Sequence, residues 1–197
     1  MNKIYTLAVL LLGIVIVFVS LTRASLEMIA QGDKEGVLRG DTLEVEIEKA
    51  NGEKIKEIYR LPQIKMLPTN IFYGFKEIRD YLWVRFSQNN YDKAKMALLL
   101  ADKKLAESIA LDKKGSARKA LESGEKAVEK LEYAWTILGE ERDNKTNDLR
   151  GIIHRAVSIY GLVIKKMDKE GVDKNKYEEI ENKIKTFKEK GEKLYSE

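Results

Sequence analysis

The pattern of apolar and polar positions changes character three times along this chain. From Ile4 to Leu21 the run IYTLAVLLLGIVIVFVSL is continuous, carries no charge, and is interrupted only by Thr6, Gly13 and Ser20. A helix of that length, rising ~1.5 Å per residue, is ~27–30 Å long, about the thickness of a bilayer's hydrocarbon core. From Leu43 to Ile47 the period is two, apolar residues alternating with Glu44, Glu46 and Glu48. From Phe72 onward the period is helical almost to the end of the chain.

The first run predicts a membrane span over residues 4–21. A helix in a soluble core is rarely apolar on every side for so long. A cleaved secretory signal and a retained signal anchor both remain open, and the anchor is the preferred reading. Lys3 supplies the basic start of either, but Thr22-Arg23-Ala24 is a poor small-x-small cleavage site and the apolar stretch is long for a signal. Lys3 and the α-amino group precede the span, while Arg23 follows it with Glu27 close by. The positive-inside bias then puts the N-terminus in the cytoplasm and the body outside.

Asp41 to Leu61 predicts a β-hairpin about Asn51-Gly52, a strong turn signal. A three-residue loop Ala50-Asn51-Gly52 gives a consistent register. Leu43 faces Tyr59 and Ile47 faces Ile55 on the dry side; Glu46 faces Lys56 and Glu48 faces Lys54 on the wet side. A lone hairpin is marginal in water, so its dry face must rest on the helices or on a partner chain.

Leu61-Pro62 and Leu67-Pro68 punctuate the way into five amphipathic segments. The first, about residues 70–87 with Thr69 or Asn70 as N-cap, is aromatic-rich. Phe72, Phe75, Arg79, Leu82 and Phe86 recur at helical spacing and are expected to be knobs of a core rather than a cofactor cage or a membrane-resting face. The next, about 91–112, carries Ala94, Leu98, Ala101, Leu105 and Ile109 on one stripe. Gly115-Ser116 breaks and recaps, and residues 117–138 place Ala117, Leu121, Gly124, Val128, Leu131, Trp135 and Leu138 at 4-3 spacing. A fourth, about 147–167 with Thr146 as cap, presents Leu149, Ile153, Ala156, Tyr160, Val163 and Met167; a fifth, about 174–195, presents Tyr177, Ile180, Ile184, Phe187 and Leu194, with Gly191 in the seam. Short connections force sequential helices antiparallel. The expected fold is mainly α: an N-terminal transmembrane helix over 1–24, a connector and small β-hairpin over 25–66, and an antiparallel up-down bundle of about four to five helices over 67–197.

Composition narrows the function classes. Removing Lys3 and Arg23 leaves 34 basic against 32 acidic side chains, so the body is close to neutral and lacks the basic excess of a nucleic-acid module. The chain has no cysteine, which excludes disulfides and thiolate metal sites.

Leu67-Pro68-Thr69-Asn70-Ile71-Phe72-Tyr73-Gly74-Phe75-Lys76 resembles an LP-x-S-P-x-Y-x-L-K motif, with Ile71 where that pattern has Pro. Ala94-Lys95 and then Leu100-Ala101-Asp102-Lys103-Lys104-Leu105-Ala106-Glu107 are similar to the AK…LAERRLAE run of the same family. That family is a domain of unknown function in secreted or membrane-anchored bacterial and archaeal proteins. The resemblance covers about Leu67 to Leu131. It implies an N-terminal signal or anchor and an all-helical body outside the cytoplasm, and it brings no activity, cofactor or catalytic residue.

Candidate chemistry is sparse. His154 is the only histidine, and neither HExxH nor paired-histidine spacing occurs. A metal site there needs carboxylates converging from other helices. The nearby Glu140, Glu141, Asp143 and Asp148 are expected instead to solvate a turn and suit a helix N-terminus. No serine sits in a GxSxG or SxxK context, and no glycine-rich phosphate loop is present. The Lys/Glu-rich faces are expected to be solvated surface. The reading is therefore a non-enzymatic, membrane-anchored extracytoplasmic module that binds or scaffolds at the cell envelope. Its partners are the membrane through residues 4–21 and a protein partner or a second copy, with no nucleic acid, no small-molecule substrate, no cofactor and no metal. The alternatives are a cytoplasm-facing scaffold for division or cytoskeletal partners and a carboxylate/His metal-binding bundle.

Overall fold

The computed structural model describes residues 42–48, 54–64, 66–139, 143–167 and 174–196, together with Tyr5. The chain divides into two compact units, Met1–Arg39 and Gly40–Glu197. The second holds a hairpin, β1 (Thr42–Glu48) and β2 (Lys54–Arg60), followed by α1 (Tyr73–Phe86), α2 (Asn90–Asp112), α3 (Ala117–Leu138), α4 (Asn144–Lys166) and α5 (Lys174–Ser196). It is mainly helical, with one small two-stranded antiparallel sheet among the described residues. The expected span over residues 4–21 lies outside the described residues apart from Tyr5, as do the Ala50-Asn51-Gly52 loop and the connector from residue 25 to residue 41. No helix among the described residues is long and apolar enough to cross a membrane.

The hairpin takes the register its alternation predicts. Leu43 pairs with Tyr59, Glu46 with Lys56, Ile47 with Ile55 and Glu48 with Lys54. Period-two patterning fixes this register, because a one-residue slip would turn Val45 and Tyr59 to solvent. Val45, Tyr59, Leu61 and Pro62 are buried, so the dry face rests on the helices.

Helices α2 to α5 bury the stripes that their spacing marks. Ala94, Leu98, Ala101 and Leu105 of α2, Leu121, Val128 and Leu131 of α3, Ile153, Ala156 and Tyr160 of α4, and Tyr177, Ile180, Ile184 and Phe187 of α5 join one core. Contacts between helices show alternating direction. The Ser108 hydroxyl of α2 donates to the Ala120 carbonyl of α3 across the Gly115 turn (2.5 Å). Buried Arg150, early in α4, donates to the Leu138 carbonyl at the end of α3 (3.3 Å), where a cation meets the negative end of the helix dipole. Glu125 of α3 pairs with Lys176 and Lys183 of α5, and Trp135 meets Phe187 edge-on farther along both helices, so α3 and α5 run the same way.

Turn chemistry sets the boundaries, with two corrections. Gly115 adopts φ +70°, which ends α2 at no steric cost. Asn89 caps α2 by accepting the Asp92 N–H (2.8 Å). The cap of α4 is Asp143, not Thr146: the Asp143 carboxylate accepts the Thr146 N–H (2.7 Å), so the helix begins three residues earlier than expected. The Asn70 side chain accepts the Phe72 N–H (2.9 Å) in a turn before α1, which itself starts without a side-chain cap.

The larger correction concerns the aromatic helix. Phe72 (61 % exposed), Phe75 (72 %), Ile78 (59 %) and Phe86 (60 %) are not core knobs. They face solvent, and the polar side of α1 packs against α2.

Gly124 lies at a close approach of α3 to α2 and α4: a Cβ there would meet Ser108 Oγ at 3.2 Å and Ile164 Cγ1 at 3.3 Å. Gly124→Leu overfills this contact, and urea unfolding should show a loss of roughly 1–3 kcal/mol despite the better helix propensity of leucine.

Candidate functional site

The buried side of α1 presents Tyr73, Lys76, Glu77 and Asp80, and α2 answers with Lys104 and Glu107. Glu107 is fully buried and Lys104 is 3 % exposed. A carboxylate so far from water is stable only when paired and hydrogen-bonded. Glu107 has both: the Tyr73 hydroxyl donates to one oxygen (2.6 Å), the Lys76 ammonium donates to the other, and Lys104 lies 3.3 Å away along its own helix. Lys104 in turn donates to the Tyr73 hydroxyl and to Glu77 (2.6 Å). Asp80, also buried, lies 3.6 Å from Lys76 and accepts from Arg79 (2.7 Å), whose guanidinium stacks over Trp83 (4.5 Å to the ring centre).

Electrostatics follow the geometry. Burial, and then the hydrogen bond to Glu107, hold the Tyr73 phenol far above its ordinary range, so it stays a donor. Burial works against the Glu77 charge, but the hydrogen bond and charge of Lys104 outweigh it and keep the carboxyl below its usual range. Burial lowers Lys103 and Lys130, which flank the cluster. Such a network is a fixed array of charges whose donors and acceptors are spent on one another. Its evident work is mechanical: it clamps α1 to α2 and decides which side of α1 faces out.

A second polar group, centred on half-buried Asp102, sits on α2. Asp102 Oδ1 accepts from Tyr59 of β2 (2.6 Å) and from Tyr160 of α4 (2.7 Å), and the two rings meet edge-on at 6.5 Å. Burial raises the Asp102 carboxyl to about 6 although both phenols favour its charged form. Burial, then the Asp102 charge, push both tyrosines well above the ordinary phenol range. Arg155 of α4 adds an ion pair with Glu57 of β2. The hairpin is thus stapled to two helices.

The sequence-based candidates do not converge. His154 lies half-buried against Gly191 of α5, whose missing side chain makes room for the imidazole. Asp143 caps α4, Asp148 is exposed, and Glu140 and Glu141 lie outside the described residues. Among the described residues, no group of three or more His, Cys, Asp or Glu side chains is placed to hold a metal ion. The expectation that Lys/Glu-rich stretches are solvated fails at Lys104 and Glu107. They fall on the stripe Leu100, Lys104, Glu107, Leu111, flanked at both ends by buried leucines. A charged pair in the middle of an apolar stripe was the available signal.

The arrangement defines a small helical bundle with an apolar core and a buried ion cluster that fastens α1 to α2. Residues 65–158 match the family model described as a domain of unknown function (DUF5667), just under half of the chain. The family resemblance read from Leu67 to Leu131 therefore holds. No curated protein and no solved structure matches the chain. The matched segment contains all of Tyr73, Lys76, Glu77, Lys104 and Glu107, whereas Tyr59 and Tyr160 fall outside it.

Removing the central carboxylate leaves Lys76 and Lys104 with Asp80 and Glu77 as their remaining counter-charges and opens a hole in the buried cluster. Glu107→Ala should cost about 3–5 kcal/mol in urea unfolding, and Glu107→Gln, which keeps the shape, should lose less. Asp102 predicts a pH dependence. Its folded pKa of about 6 lies above the ordinary 3.8, so the native state keeps the proton longer than the unfolded chain. Its contribution is full below about pH 4 and is lost as pH rises through about 6, amounting to roughly 3 kcal/mol. Urea unfolding of the wild type and Asp102→Asn between pH 4 and 7 checks this: the difference in stability between the two should shift by that amount in favour of the variant, and a constant difference would refute it.

Proposed function

We propose that this protein is a membrane-anchored, extracytoplasmic helical module that acts by contact, binding or scaffolding at the cell envelope. The anchor in this reading is the apolar run from Ile4 to Leu21, long enough for a bilayer core and flanked by the charges that favour an outside body. The observation that carries the contact role is the outward side of α1, where Ile71 (89 % exposed), Phe72, Phe75, Ile78 and Phe86 stand together in water. The three phenylalanines alone leave roughly 400 Å² open, taking about 200 Å² per side chain. A monomer's largest apolar patch is of that order, and such patches are commonly functional. Resemblance to a family of secreted or anchored proteins supports the same placement.

Membrane fractionation and protease shaving test the reading together. The full-length chain should stay in the membrane pellet through carbonate extraction, deletion of residues 4–21 should release it, and protease added to spheroplasts should digest the body. A freely dissolved full-length chain would reject the anchor. A protected body, with a cytoplasm-only reporter active after Glu197, would reject the orientation in favour of a cytoplasm-facing scaffold.

A further inference from the structure

We infer that the outward face of α1 docks on the surface of an anionic phospholipid bilayer, where the helix lies in the headgroup region. This deepens the contact role proposed above and rests on it for the nearness of a bilayer. The roughly 20 residues between Leu21 and Thr42 reach at most ~70 Å when extended, so an anchored body never travels far from lipid.

Charge selects the occupant. From Thr69 to Phe86 the exposed described residues are Thr, Asn, Ile, Phe, Gly, Phe, Ile, Tyr, Arg and Phe, and the one charged side chain among them is Arg85. The helix owns two carboxylates, and the cluster draws both inward: Asp80 is buried and Glu77 is held by Lys104. Half-exposed Arg79 sits on its Asp80 and Trp83 contacts at the edge of the apolar side. An outward side of aromatic and aliphatic side chains that exposes one arginine, Arg85, and no acid suits the headgroup region of an anionic bilayer, where apolar burial does most of the work and the single cation adds to it. A second copy fits less well. Self-pairing along this face would bury Arg85 of both copies against a side on which α1 exposes no carboxylate, while Arg79 stays with its own Asp80.

The chain has no cysteine, so single-cysteine labelling reads the face directly. Full-length protein carrying Phe75→Cys with a polarity-sensitive fluorophore is reconstituted in vesicles of phosphatidylglycerol and phosphatidylcholine, and of phosphatidylcholine alone. Glu178→Cys, at an exposed position of α5, serves as the reference. Docking predicts a blue shift at position 75 and quenching by brominated lipid in the anionic vesicles, with neither at position 178. Arg85→Ala should lower the ratio of lipid-facing to water-facing label about fivefold. A label at 75 as wet as that at 178 overturns the inference. So does shielding at 75 that rises with protein concentration and resists brominated lipid, the signature of a second copy. Flotation with phosphatidylcholine vesicles scores the anchor separately. If the chain fails to float, the Ile4–Leu21 tether is wrong, and the response of position 75 to added anionic vesicles still decides the docking.

Discussion

The orientation of α1 depends on one buried carboxylate. Glu107 has no access to water, and its charge is met by Lys76 and by the Tyr73 hydroxyl, both from α1, and by Lys104 beside it. Turning α1 over to bury its phenylalanines would set them against Lys104 and Glu107 and strip both of their partners on α1, leaving the pair only each other. Leaving a buried charge unpaired is among the most expensive changes a fold can suffer. The polar side therefore goes in, and the apolar side is left for something else. This inversion of ordinary amphipathicity links the packing of the bundle to its outward chemistry.

Helix α2 is the element on which the rest converges. Its Lys104 and Glu107 hold α1, its Ser108 touches α3, and its Asp102 holds Tyr59 of the hairpin and Tyr160 of α4. The family match covers the first of these attachments completely. It covers the Ser108 contact too, whereas the Asp102 node reaches Tyr59 and Tyr160 on either side of the matched segment. The hairpin is thereby fastened to the matched segment, and Tyr160, past its end, closes the same node.

Much of this fold was legible in the sequence. The hairpin register followed from alternation and a turn dipeptide, because burying one side of a strand forbids a one-residue slip. Helices α2 to α5 followed from their stripes, since Leu105, Leu131, Ile153 and Ile180 each needed a facing partner. The orientation of α1 did not follow, because periodicity reports that a face exists and not what it faces. Phe72, Phe75, Leu82 and Phe86 read as a core stripe, and only the complementary charges on α2 overrule that reading. The cluster itself was hidden for a related reason: Lys and Glu on a helix are normally wet, and the leucines four residues either side of the Lys104–Glu107 pair are the one local sign that these are not. Asp143 displaced Thr146 as a cap because both residue types serve, and a carboxylate also suits the positive end of the helix.

The hairpin's connectivity has a mechanical side. Thr42 begins β1 and pairs with Arg60, the last residue of β2. Beyond Arg60 the chain runs into buried Leu61, and Tyr59 and Glu57 fasten β2 to the helices. Tension arriving from the N-terminal side of Thr42 therefore pulls on adjacent ends of the two strands and opens their bonds one after another, as a zipper does, while β2 stays with the bundle. β1, held beyond its pairing by buried Val45, is the first strand such a load reaches, ahead of the helical body.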